Sequence, residues 1–218
     1  MAPWSSFNLG DHVGDDPAHV LANRASLRPY LPSEPLWLKQ VHGIAAIDAG
    51  SFPRSVEGDA AFTRRTNTVC TVMTADCLPV LFCDRSGTVV AAAHAGWRGL
   101  VAGVLEATIK NMAVSAGELL VWLGPAIGPG CFEVGDEVRA AFLSDDPEAT
   151  EAFVPSLAGK WLADIYALAR RRLQRTGVES IYGGGACTVK EHERFFSYRR
   201  DGVTGRMATL IWLAADGV

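Results

Sequence analysis

The chain has 218 residues, 49% of them hydrophobic and 20% charged, a balance that excludes disorder and suits a packed α/β body. Its net charge of −4, from 20 basic and 24 acidic residues, gives no general pull toward nucleic acid. No apolar run approaches the roughly 18 residues of a membrane-crossing helix, and no charged-then-apolar leader opens the chain. Five cysteines, an odd number set mostly in apolar runs, do not look like a disulfide framework. A single domain over 1–218, in a reducing cytoplasmic setting and without membrane or nucleic-acid partners, is the expectation.

In chain order, residues 3–10 read as a short strand or extended arm. Asp15 or Asp16 before Pro17 is a helix start, a carboxylate cap followed by proline at the first helical position. That helix runs Pro17–Leu27 with Val20, Leu21, Ala25 and Leu27 inward, and Pro29 and Pro32 stop it. Leu36–Ile47 follows as a strand broken near Val41-His42-Gly43. GDAAFT at 58–63 carries strand residues behind Asp59, a carboxylate that needs a partner if buried and is otherwise a turn residue. Thr68–Met73 is another strand. Leu78–Cys83 and Thr88–Ala93 read as buried strands joined by a turn at Asp84-Arg85-Ser86-Gly87.

After GWRG the apolar spacing becomes helical, with Leu100, Val101, Val104, Leu105, Thr108, Ile109 and Met112 on one face and Gly117 as the stop. Leu119–Leu123 is a buried strand. GPAIGPGCFEV leads through a Gly- and Pro-rich loop into a helix over 136–143 and an acidic surface loop over 144–150. Trp161–Arg175 reads as an amphipathic helix whose Arg170-Arg171-Arg172 run forms a solvated face near its C-terminus. In the tail, Phe195, Phe196 and Tyr198 are expected to pack, and Thr209–Leu213 closes the chain as a strand.

The chemistry gathers around Thr74–Gly99. Cys77 stands just before one hairpin strand and His94 just after the other, so both lie at the open end of the hairpin. His42, at the end of LKQVHG, is a third candidate. One cysteine and two histidines can hold zinc and leave a fourth position open. The same groups could form a nucleophile and base pair, or Cys77 could be a small buried hydrophobe with His94 at a strand end. Spacing alone leaves all three readings open, because C-x-x-C, H-E-x-x-H and the zinc-deaminase signature are all missing from the sequence. Arg199, Arg200 and Arg206 cluster around Asp201-Gly202. They suit an anion's paired oxygens, or equally a structural pairing with Asp59 or Glu57. His12, His19 and His192 read as peripheral.

Seven segments, FNLGDHVGDDPAHVLANR, LKQVHG, GDAAFT, TADCLPVLF, AAAHAGWRG, GPAIGPGCFEV and CT…RFFSYRRDGVTGRMA, occur in order over nearly the whole chain. In these it resembles the laccase-domain proteins, once labelled multicopper polyphenol oxidases and now described as purine nucleoside phosphorylases. The resemblance implies a layered α/β sandwich with a mixed sheet, related to Cys–His toxin deamidases. It implies zinc, rather than copper, on His42, Cys77 and His94. The activities it implies are phosphorolysis of adenosine, inosine, guanosine and methylthioadenosine, and deamination of adenosine. Gln40 and Asp76 are then the nearest groups to assist the chemistry, Arg98 the nearest to hold phosphate, and Arg199 and Arg206 further substrate-binding candidates. A Cys–His hydrolase or amidase, acting on a cell-wall precursor or another amide, is the alternative. Five histidines cannot furnish a multicopper cluster, so the oxidase label fits the residues least.

Overall fold

A computed structural model of the chain describes residues 3–51 and 56–215. The elements of the first half are α1 (Pro17–Leu27), β1 (Ala46–Asp48), β2 (Ala60–Thr63), β3 (Cys70–Thr74), β4 (Leu78–Asp84), β5 (Val90–Ala95), α2 (Trp97–Ala102) and α3 (Val104–Met112). The second half adds β6 (Leu119–Leu123), β7 (Glu133–Val134), α4 (Asp136–Asp145), β8 (Phe153–Pro155), β9 (Trp161–Ala163), α5 (Ile165–Arg175), β10 (Ser180–Gly183), α6 (Tyr198–Asp201) and β11 (Met207–Ile211).

Six strands in the order β1-β2-β5-β4-β6-β10 form a mixed sheet, parallel at its two outer pairings and antiparallel within. Both faces are covered, which is why β5 is apolar at nearly every position and wholly buried. The two-residue period divides the core. Ala60, Val80, Phe82, Ala91 and Ala93 join Leu105, Ile109, Leu168 and Leu173 of α3 and α5 on one face. Ala61 and Ala92 turn the other way, onto Cys70 and Val72 of the antiparallel β3–β11 ribbon and onto Leu36 and Leu38. The alanines of β5 let both layers approach. Ribbon, sheet and helices therefore stack as the layered α/β sandwich expected, and β7-β9-β8 forms a small separate sheet.

Several boundaries differ from the sequence reading. Residues 3–7 form turns rather than a strand. Leu36–Ile47 makes only single bridges at Leu36 and Lys39 before β1, because His42 takes a left-handed φ of 61° that no strand accommodates. The long helix after GWRG is two helices, since Gly103 at φ 102° breaks it, and α3 ends on Ala113 rather than Gly117. α1 has the expected bounds and is capped by Asp16, but it buries only Val20 and leaves Leu21 exposed. Trp161 begins a strand. α5 starts only after Asp164, whose carboxylate caps Tyr166 and Ala167.

The arginine run of α5 is not a solvated face. Arg171 pairs with Asp146 and Glu148, Arg172 with Glu106 at 2.8 Å and Asp145 at 3.2 Å, and Arg170 donates to the Ile181 and Gly183 carbonyls. The supposed acidic surface loop supplies Asp145, Asp146 and Glu148, α3 supplies Glu106, and a 3-10 helix, Pro147–Ala152, begins within that loop. Tyr198 is exposed rather than packed. The final strand lies two residues earlier than expected, at β11, paired to β3.

Candidate metal centre and cavity

The β4–β5 register places Leu78 opposite Ala95 and Pro79 opposite His94, so Cys77 and Gly96 face each other at the open end of the hairpin. His94 is the penultimate residue of β5, inside the strand rather than beyond it. It shares the parity of Ala92 and so lies on the ribbon face, as does Asp59, two residues before Ala61. The bend at Val41–Gly43 brings His42 to the same end. Ligand atoms of His42, Cys77 and His94 lie within 4.8 Å of one another, with Cys77 Sγ 3.7 Å from His42 Nε2 and the imidazole centroids 4.7 Å apart.

Asp59 organises this cluster. Fully buried, it accepts hydrogen bonds from the backbone N–H groups of Val41, His42 and Gly43 at 3.1, 2.9 and 2.7 Å. Its fourth bond is to His94 Nδ1 at 2.8 Å. The same carboxylate thus holds the strained bend carrying His42 and fixes the His94 ring so that Nε2 faces the cluster. Burial raises its pKa, but the His94 hydrogen bond and the backbone donors outweigh this and keep the carboxyl below its ordinary range. Among the described residues Asp59 has no arginine partner. Glu57 sits 3.7 Å from Lys39 Nζ instead.

Burial would likewise raise the Cys77 thiol. The His94 charge and hydrogen bonds from both imidazoles bring it down to about 6. The Cys77 thiolate and Asp59 hold His94 up, at about 9, against burial. Space is as tight as charge. A Cβ at Gly96 would lie 2.6 Å from His42 Cδ2 and 3.0 Å from Cys77 Sγ, and one at Gly99 would lie 2.9 Å from the Gly43 carbonyl oxygen. The glycines of AGWRG let the start of α2 close over the cluster.

The cluster opens into a cavity of about 570 Å³, within the usual range for small-molecule sites. Gln40, Asp76, Arg98, Arg199 and Arg206 all line it together with the three ligand candidates. Among the wall residues that sequence reasoning did not place here are His12, read as peripheral, Phe132 and the exposed Tyr198. It weighed Asp59 as a buried carboxylate but did not see its partner. The shared parity of Asp59 and His94 on neighbouring strands was the available signal.

The polar wall groups differ in how far they are engaged. Gln40 donates to the Met73 carbonyl at 2.8 Å and accepts its N–H at 2.7 Å, extending the ribbon ladder. Asp76, at a left-handed φ of 87°, accepts from Thr188 Oγ1 at 2.6 Å and the Arg199 N–H at 2.7 Å. Arg199 and Arg206 donate their guanidinium protons only to backbone carbonyls, and Arg98 stacks on Trp97 at 4.4 Å. Among the described residues none of these three arginines has a carboxylate partner. Arg200, by contrast, is paired with Asp201 at 2.7 Å. The cavity thus gathers three guanidinium groups with the thiolate–imidazole cluster and the Asp76 carboxylate.

The chain is similar to known proteins over nearly its whole length. A family model described as multi-copper polyphenol oxidoreductase laccase matches residues 1–214. The chain belongs to this family. Family members similar to it include a Pseudomonas aeruginosa protein named purine nucleoside phosphorylase, 57% identical over 214 residues that cover 98% of this chain and 88% of the relative. The Escherichia coli purine nucleoside phosphorylase YfiH is 56% identical over 216 residues, with the same coverage. Among solved structures, a Neisseria meningitidis protein superposes with a TM-score of 0.93 at 50% identity, covering 99% of this chain and 89% of that one. YlmD of Geobacillus stearothermophilus superposes with 0.91 at 31% identity, over 99% and 87%.

Proposed function

We propose that this chain is a zinc-dependent purine nucleoside phosphorylase that also deaminates adenosine, with both activities in the 570 Å³ cavity. The observation that carries the reading is the joining, in one cavity, of an open His-Cys-His cluster and three arginines with no carboxylate partner among the described residues. The names of the relatives add the nucleoside. One thiolate and two imidazoles suit zinc, and copper less well, and three protein ligands leave an open position. Asp59 bonds the far ring nitrogen of His94 and so orients the imidazole toward a metal, as ligating histidines usually require. When bound, zinc supplies Lewis-acid polarisation at that open position.

The remaining work falls to the chain itself. Asp59 keeps the proton on His94 Nδ1 and leaves Nε2 free to ligate. Arg98, Arg199 and Arg206 hold inorganic phosphate, their guanidinium forks matching its oxygens. Burial lowers the pKa of Arg206, and the charges of Cys77 and Asp76 support it, so this cation acts in a poorly solvated setting where it binds an anion strongly. Tyr198 and Phe132 offer flat apolar surface to a purine. With their polar atoms already engaged, Gln40 and Asp76 serve as positioning groups that fix the cavity wall. Ribose 1-phosphate forming from inosine and inorganic phosphate tests the reading, and zinc-loaded protein that forms none rejects it.

One observation favours a second reading, a Cys–His hydrolase: the lowered Cys77 thiol 3.7 Å from His42 Nε2. Alkylation separates the two. A metal-held Cys77 is protected until zinc is stripped, whereas a catalytic thiolate reacts at once. All five cysteines are free, which supports a cytoplasmic setting, and no helix among the described residues is long and apolar enough to cross a membrane.

A further inference from the structure

A pair of cysteines lies outside the metal cluster. A parallel bridge between Ala126 and Cys187, with the Thr188 N–H on the Ala126 carbonyl at 3.0 Å, sets the 186–188 segment against the Gly-Pro loop. The Gly128 N–H donates to Cys187 Sγ at 3.3 Å. The same loop turns back on itself, the Cys131 N–H donating to the Gly128 carbonyl at 2.9 Å. Both cysteines therefore flank Gly128, where a Cβ would lie 3.0 Å from Cys187 Sγ. The missing side chain makes room for sulfur.

The Cys131 and Cys187 thiols are near enough to shift each other's pKa, and both are partly exposed, whereas Cys70 is buried. Their surroundings are asymmetric. Burial raises Cys187, but backbone N–H groups of Lys190, Gly128 and Val189 converge on its sulfur and bring it below its ordinary value. Burial and the neighbouring Cys187 raise Cys131. A thiol whose pKa is lowered by backbone donors, beside one whose pKa is raised, is the arrangement in which one cysteine attacks an oxidant and the other resolves the product.

We propose that Cys187 and Cys131 form a hydroperoxide-reactive site, Cys187 attacking and Cys131 resolving. The Cys187 sulfur attacks one oxygen of the hydroperoxide, the O–O bond breaks, and the departing alkoxide or hydroxide takes a proton, leaving Cys187 sulfenic acid. The Cys131 sulfur then attacks Cys187 Sγ, the S–O bond breaks, and water leaves with the Cys131 proton. Two thiols are oxidised to a disulfide, and the hydroperoxide is reduced to an alcohol and water. Neither cysteine belongs to the metal cluster or lines the cavity, and the proposal does not depend on the nucleoside reading.

Peptide mapping of the zinc-loaded full chain after stoichiometric hydrogen peroxide tests the proposal. The expected product is a peptide pair joined through Cys131 and Cys187, with the intact mass reduced by two hydrogens. Cys131→Ser is expected to accumulate sulfenic acid on Cys187, trapped by dimedone, and Cys187→Ser to give neither product. Oxidation of Cys77 or Cys83 with Cys131 and Cys187 still reduced overturns the proposal, and so does a dimedone adduct on Cys131 in Cys187→Ser. Should a variant fail to fold, the wild-type map alone decides.

Discussion

Replacing Asp59 by Asn removes one charge and almost no volume, so it isolates what the carboxylate does. Oδ1 accepts from the His42 N–H and His94 Nδ1, and Oδ2 from the Val41 and Gly43 N–H groups. An asparagine has one acceptor oxygen, and its NH₂ must face two donors whichever way it turns. If the oxygen stays with His94, the bend at Val41–Gly43 loses two bonds. If it stays with the bend, His94 can accept at Nδ1 only by moving its proton to Nε2, the nitrogen offered to the metal. Hydrogen bonds to charged groups are worth about 1.5–3 kcal/mol each, so losing two costs roughly 3–6 kcal/mol of stability. Loss of such a second-shell partner weakens metal binding about 10–100-fold. Denaturant unfolding of the metal-free variant and zinc competition with a chromophoric chelator measure the two effects. A wild-type unfolding midpoint together with wild-type zinc affinity would refute this account of Asp59.

Other expectations concern the ligands and the arginines. His94→Ala is expected to lose both bound metal, by elemental analysis, and turnover; a fully active variant would remove His94 from the site. Arg98→Ala is expected to raise the phosphate concentration needed for half-maximal rate while leaving zinc content unchanged, and an unaltered phosphate dependence would exclude that arginine. In metal-free protein, iodoacetamide is expected to alkylate Cys77 at a rate that rises through a midpoint near pH 6 and then levels. Because the folded pKa lies below the unfolded one, the thiolate adds stability to the metal-free fold at alkaline pH, and that contribution disappears as pH falls through about 6. A midpoint near the ordinary thiol value would contradict the cluster electrostatics.

Much of this site was legible because the hairpin reports its own register. Once Leu78–Cys83 and Thr88–Ala93 are read as paired strands, Cys77 and His94 must meet at the open end, and the β4–β5 pairing does this, although β5 itself runs Val90–Ala95. Strong local signals behaved likewise. The Asp16–Pro17 start set α1, and the continuous apolar runs marked strands covered on both faces. What escaped was non-local. The partner of Asp59 lies 35 residues away on a neighbouring strand, and the carboxylates that neutralise Arg171 and Arg172 come from α3, α4 and the adjoining 3-10 turn. Nor did periodicity show that Gly103 would take a left-handed φ and split a helix, or that His42 could be held at a φ of 61° by three hydrogen bonds to one buried carboxylate. The cavity itself is assembled from segments between His12 and Arg206, and no window of sequence contains it.

The central claim, nucleoside chemistry with phosphate at the His42–Cys77–His94 centre, is tested most directly by incubating zinc-loaded and chelator-stripped protein with adenosine, with and without phosphate, and separating the products. The account predicts free adenine only where phosphate and zinc are both present, and inosine from the zinc-loaded protein irrespective of phosphate. Unchanged adenosine in every incubation, with zinc shown to be bound, would contradict it and put the Cys–His hydrolase first.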